Sequence, residues 1–149
     1  MLDFNKLLPN LKDLSSKASN SIMEIYNSDF SHKNKDDGSP LTLADESSNN
    51  IIIEGLKRIT PEIQIVSEET FNNNIFYEDG YWLIDPLDGT KEFINRNGDF
   101  SVNISFIYMH QTIFGIVQRP TDMKIWTSLD KVSQTTVSYT HLTLPTTLQ

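Results

Sequence analysis

The apolar period of this chain changes once, and that change limits its fold more than any other feature. Up to residue 59 the apolar positions recur at threes and fours. From residue 63 they fall in short runs rich in Ile, Val, Phe and Tyr. The first spacing belongs to amphipathic helices and the second to buried strands. Leu11, Leu14, Ala18, Ile22 and Ile25 predict a helix over residues 9–27, with Pro9 tolerable near its first turn. Residues 32–39 are polar with one glycine and read as a loop. Thr42 followed by Asp45 resembles a capping signal, and the helix it opens would carry Ile51, Ile52, Leu56 and Ile59 before stopping at Pro61.

Strands are expected at residues 63–66, 81–84, 100–108 and 112–118, with Met123 to Thr127 adding another strand to an antiparallel meander. Residues 72–74 fall in a loop, and residues 109–111 read as the turn of a hairpin. The order predicts a mixed α/β (α+β) domain, two helices packed on a largely antiparallel sheet. Trp82 and Trp126 lie inside strand-like runs and read as core.

The chain's 149 residues suffice for one domain with a real core. Its formal net charge of −8 and lack of a basic patch exclude a nucleic-acid binder working through phosphate neutralisation. Cysteine is absent, which removes disulfides, zinc–thiolate sites and thiol catalysis. The first residues lack the layout of a secretion signal, and no apolar run is long enough to span a bilayer. His32, His110 and His141 are too scattered for a ligand set, and Ser67 has no histidine pattern to activate it. Residues 133–149 are rich in threonine and contain no Asp, Glu, Lys or Arg, so they read as a non-native tail from cloning or sequencing read-through. The domain expected here is residues 1–132.

Acidic residues gather where elements begin or end. Asp45 falls in the first turn of the second helix, Glu68 and Glu69 close one strand, and Asp85 and Asp88 follow another within Asp85-Pro86-Leu87-Asp88-Gly89-Thr90. Carboxylates and a backbone carbonyl are the oxygen ligands that hard cations such as Mg²⁺ take. Glu68 and Asp85 would grip one ion, and Asp85, Asp88 and the Leu87 carbonyl would hold others. Gly89 lets backbone approach a phosphate, and N–H groups of a helix opening at Thr90 would make an anion site. The Thr90 hydroxyl could bond an attacking water and donate to Asp45. Plainer readings stand beside these: Asp45 as a charge favourable to a helix N-terminus, and Glu68-Glu69 as a solvated pair.

The string Asp85 to Thr90, with Ser67-Glu68-Glu69 and Ser39-Pro40-Leu41-Thr42-Leu43-Ala44-Asp45 before it, resembles the lithium-sensitive, Mg²⁺-dependent inositol monophosphatase superfamily. The continuation Lys91-Glu92-Phe93-Ile94, with Asn97-Gly98 and the run Phe100-Ser101-Val102-Asn103-Ile104, is similar to its bacterial 3'(2'),5'-bisphosphate nucleotidases of the CysQ type rather than to its inositol phosphatases. The resemblance implies the layered αβαβα fold of that family. It implies two or three Mg²⁺ ions and removal of the 3'-phosphate of adenosine 3',5'-bisphosphate to give AMP, a step of sulfur assimilation. Glu68, Asp85, Asp88 and the Leu87 carbonyl are then metal ligands. Glu68, Leu87, Asp88, Gly89 and Thr90 meet the substrate, Glu68, Asp45 and Thr90 serve the attacking water, and Lys35 stands in a loop near the metals. The implied location is the cytoplasm, with a peripheral place at the bacterial inner membrane as the alternative.

The resemblance stops near Lys131, and the Trp-Asp-x-x-Ala-Gly segment of the family's second half is absent. The expectation is therefore the N-terminal half of an enzyme, truncated and with little turnover alone. An inositol or sugar monophosphatase, and a non-catalytic metal- or phosphate-binding fragment, are the other readings.

Overall fold

The structure is a computed structural model and describes residues 1–28, 38–68 and 80–130. The expectations for Lys35, Glu69, residues 72–74, His32, His141 and the tail 133–149 lie outside the described residues. Two long helices, α1 (Phe4–Tyr26) and α2 (Pro40–Ile59), precede strands β1 (Gln64–Ser67) and β2 (Tyr81–Asp88). A short helix α3 (Thr90–Ile94) follows, and then β3 (Ser101–Tyr108), β4 (Gln111–Arg119) and β5 (Lys124–Thr127). The strands form one sheet in the order β1-β2-β3-β4-β5, with β1 parallel to β2 and every other pair antiparallel. The mixed class and largely antiparallel sheet are those expected from the change of period.

Both long helices cover one sheet face. Trp82 and Ile84 of β2, Val102, Ile104 and Phe106 of β3, and Phe114 and Ile116 of β4 are all buried there against Leu11, Ala18, Ile22, Ile52 and Leu56. A buried polar lock accompanies them, in which the Ser15 hydroxyl donates to Gln118 Oε1 at 2.7 Å and Gln118 Nε2 donates to the Met123 carbonyl at 3.3 Å. The Trp82 indole N–H donates to Thr60 Oγ1 at 2.8 Å, tying the core to the C-terminal end of α2.

Three boundaries differ from the sequence reading. Helix α1 begins at Phe4, so Pro9 lies inside it. Proline there removes one helical hydrogen bond. The helix nonetheless extends because Asp3 accepts from the Lys6 N–H at its start and the Phe4 ring stacks on Phe114 at 4.7 Å, beside Trp82 and Phe106. Helix α2 is capped by Ser39, whose hydroxyl accepts from the Thr42 N–H at 3.1 Å, with Pro40 opening the first turn. The cap thus lies three residues upstream of the Thr42 signal, and Asp45 falls beyond the first turn, which holds no acid. Strand β2 runs through Asp85 and Pro86 to Asp88 rather than ending at residue 84, because β3 pairs with it along that length.

Trp126 is also not core. It is half-buried on β5, with the Arg119 guanidinium at 5.6 Å and the Lys124 ammonium at 5.2 Å from its ring centre. The hairpin between β3 and β4 turns at Met109 and His110, both in the left-handed region at φ 49° and 63°, the geometry of a tight two-residue connection. His110 is exposed, as expected.

The early start of α1 is testable. Replacing Asp3 with Ala removes the cap and is expected to lower stability by about 1 kcal/mol in urea unfolding. A helix that began only after Pro9 would leave that value unchanged.

Candidate metal and phosphate site

Side chains three apart on a regular strand point to opposite faces, so Asp85 and Asp88 should not share one. The sheet corrects this with a bulge. Asp85 pairs with Asn103 and Asp88 with Ser101, so three steps on β2 face only two on β3. Asn103 and Ser101 share a face by the ordinary alternation of β3, and the bulge puts both aspartates there, opposite the helices. The residues between them are used otherwise. Leu87 sends its side chain into the core at 1% exposure, and the Pro86 carbonyl accepts from the Ser48 hydroxyl of α2 at 2.7 Å. Proline is tolerated within β2 because the bulge interrupts the ladder at that point.

The parallel pairing of β1 with β2 brings in the next acid. Ser67 pairs with Ile84, so Glu68 emerges beside Asp85. The Ser67 hydroxyl donates to Asn49 Oδ1 of α2 and anchors the strand end. Asp45 and Ser48, three apart on α2, and Asn49, next along, approach the same end of the sheet. The site residues named from the sequence therefore come together as Glu68, Asp85, Asp88 and Asp45, with Gly89 and Thr90 following at the start of α3.

Electrostatics marks Asp85 as the centre. Its carboxyl is pushed up to about 8, chiefly by burial and then by the charges of Glu68 and Asp88, a carboxyl–carboxyl contact with Glu68, and the charge of Asp45. Its Oδ1 is buried with no hydrogen-bond partner among the described residues. Buried polar atoms are ordinarily bonded, so this oxygen is one a cation would satisfy. Among the described residues, no three Asp, Glu, His or Cys side chains converge closely enough to hold one ion by themselves. That arrangement still fits Mg²⁺, which keeps several waters and binds through one or two carboxylates plus substrate phosphate. The paired acids Glu68 with Asp85, and Asp85 with Asp88, supply oxygen donors of that kind.

Gly89 has a requirement beyond phosphate approach. Its φ is +90°, and a Cβ there would lie 2.9 Å from the Asp99 carbonyl and 3.2 Å from Phe100 Cα. The chain returning toward β3 crosses directly over it, so the fold itself demands glycine. Thr90, next to it, is exposed at the start of α3.

Sequence reasoning missed Ser48, Asn49, Ser101 and Asn103. The Asn103 side-chain N–H donates to Asp88 Oδ2 at 3.2 Å, and the Ser101 hydroxyl donates to Asn103 Oδ1 at 3.0 Å. A signal was present: Ser101, Asn103 and Ser105 alternate with Val102, Ile104 and Phe106, which marks one face of β3 as polar, with Asn103 and Ser105 buried on it.

Two outcomes follow. Gly89→Ala should destabilise the chain by about 2 kcal/mol or more in urea unfolding, from left-handed strain and backbone overlap together; an unchanged midpoint would contradict the crossing. Because Asp85 titrates near 3.8 unfolded and about 8 folded, the folded state holds the extra proton and is favoured at low pH. In EDTA, thermal stability should therefore fall as pH rises from about 5 to about 8. The Asp85→Asn variant should flatten that slope, and a slope of opposite sign would refute the environment described for Asp85.

The pattern of the inositol monophosphatase family matches residues 4–145. The chain is similar to the 3'(2'),5'-bisphosphate nucleotidase CysQ of Buchnera aphidicola, 43% identical over 121 residues, which covers 78% of this chain and 46% of that protein. It is 39% identical over 119 residues to the protein of the same name from Escherichia coli K12, covering 76% and 48%. The crystal structure of CysQ from Bacteroides thetaiotaomicron, described as a bacterial member of the inositol monophosphatase family, superposes with a TM-score of 0.69 at 31% identity. That superposition covers 85% of this chain and 47% of the other. The chain thus spans about half the length of the curated relatives it matches. With the matched residues taking in both long helices, the acidic sheet end and all five strands, this chain belongs to the inositol monophosphatase family.

Proposed function

We propose that this chain carries the metal-binding half of a Mg²⁺-dependent phosphatase that removes the 3'-phosphate of adenosine 3',5'-bisphosphate, leaving AMP and inorganic phosphate. The observation that carries the reading is the β2 bulge, which sets Asp85 and Asp88 on one face beside Glu68. The names of the similar proteins support the choice of substrate.

Glu68, Asp85, Asp88 and the Leu87 carbonyl would hold Mg²⁺, in two or three ions. The metal, when bound, supplies activation of a water and neutralisation of the leaving oxygen in an in-line displacement. The protein's own part is positional. Gly89 and Thr90 offer the backbone N–H groups that open α3 to phosphate oxygens. The Thr90 hydroxyl accepts a hydrogen bond from the attacking water and donates its own proton toward Asp45. Burial of Asp85 would strengthen its own attraction for a cation, since charges attract more strongly where water is excluded. Among the described residues no helix is long and apolar enough to cross a membrane.

The test measures phosphate release from adenosine 3',5'-bisphosphate and from inositol 1-phosphate, in Mg²⁺ with and without Li⁺. It compares the 149-residue chain alone with the chain fused to the C-terminal half of the Escherichia coli relative. Slow turnover is expected from the chain alone. The fusion should show Mg²⁺-dependent, Li⁺-inhibited release from the nucleotide, reduced at least about 100-fold by Asp88→Asn. Full activity in that variant would remove Asp88 from the site, and faster release from inositol phosphate would move the substrate to the sugar phosphates.

A further inference from the structure

We propose that Asn103 is a positioning residue for Asp88, itself oriented by Ser101, so that the pair on β3 fixes the carboxylate in the rotamer a cation needs. The inference rests on the metal-site reading given above. Asn103 is 4% exposed, in a strand whose helix-facing neighbours Val102 and Ile104 are fully buried. Burying an amide costs free energy unless both its ends are bonded. Here both are: the N–H end donates to Asp88 Oδ2 and the carbonyl end accepts from the Ser101 hydroxyl. The orientation is fixed by chemistry, because an ionised carboxylate only accepts and the amide nitrogen must therefore face it.

The register shows that this contact is not the simplest one available. Asn103 stands opposite Asp85 in the ladder, yet its side chain reaches diagonally to Asp88. Ser101, opposite Asp88, holds the amide in that diagonal pose. Asp88 shares a sheet face with Asp85, beside Glu68, in surroundings crowded with carboxyl groups. A neutral donor holds it in place without adding a positive charge that would compete with a metal ion. It engages Oδ2 and leaves Oδ1 as the oxygen offered to a cation. Partners of this kind, behind a ligating carboxylate, typically contribute 10- to 100-fold to metal affinity.

The experiment titrates Mg²⁺ into the 149-residue chain by calorimetry at pH about 8 and records melting temperature in EDTA. It compares wild type with Asp88→Asn, Asn103→Leu and Ser101→Ala. Asn103→Leu keeps the volume of the side chain and removes the donor. The expected result is about 10-fold or greater weakening of Mg²⁺ binding in Asn103→Leu, and a smaller weakening in Ser101→Ala, with the metal-free melting temperature of Ser101→Ala unchanged. A purely structural role would move the EDTA melting temperature and leave the affinity of the folded protein alone. If wild type binds Mg²⁺, Asp88→Asn does not, and Asn103→Leu binds as wild type does, the positioning role is overturned while the site stands. If Asn103→Leu does not fold, wild-type affinity in Ser101→Ala overturns it equally. If wild type and Asp88→Asn respond to Mg²⁺ alike, the site reading falls, and this proposal with it.

Discussion

The register between β2 and β3 is the constraint on which the candidate site rests. Side-chain direction along a strand is a matter of parity, and two acids three residues apart have the wrong parity to act together. The bulge changes the count on one strand only, and it does so where proline has already given up its ladder donor. The Ser48 hydroxyl then binds the freed Pro86 carbonyl, so the irregular backbone is satisfied by α2 rather than left to solvent. The acids, the proline and the serine are parts of one solution to a geometric problem.

That solution concentrates negative charge. Asp85 is buried beside Glu68, Asp88 and Asp45, and no described residue bonds its Oδ1. Such an arrangement works against folding in the metal-free state and in favour of binding a dication, the usual exchange of stability for function at a site. The rest of the domain offsets the strain with conventional packing: an aromatic group of Phe4, Trp82, Phe106 and Phe114, and the buried bridge from Ser15 through Gln118 to Met123.

Much of this was legible in the sequence. The change of period announced two helices and then strands, and the acids at element ends pointed to Glu68, Asp85, Asp88 and Asp45. The boundaries that moved did so for tertiary reasons. Local propensity stops α1 near Pro9, but the stacking of Phe4 on Phe114, more than a hundred residues later in the chain, extends it. Propensity also ends β2 at Asp85-Pro86, whereas pairing with β3 continues it. Asn103 was legible only as part of the run from Phe100 to Ile104, because a strand's sequence shows which residues share a face but not which residue lies diagonally across the ladder. Trp126 was misplaced for the opposite reason: an aromatic in a strand of four residues looks like core unless one knows that the strand lies at an edge.

The lengths of the strands have a consequence for how the molecule behaves among its own copies. Among the described residues the inner strands have eight, eight and nine residues, while β1 and β5 at the two edges have four each. An edge strand is an open row of backbone donors and acceptors that another chain can extend into a larger sheet. Four residues offer little to extend, and β5 opens on the charged Lys124, paired with Arg119. Among the described residues, a sheet that tapers in this way keeps its hydrogen-bonding capacity where it builds the site and gives a neighbouring chain little edge on which to start an aggregate.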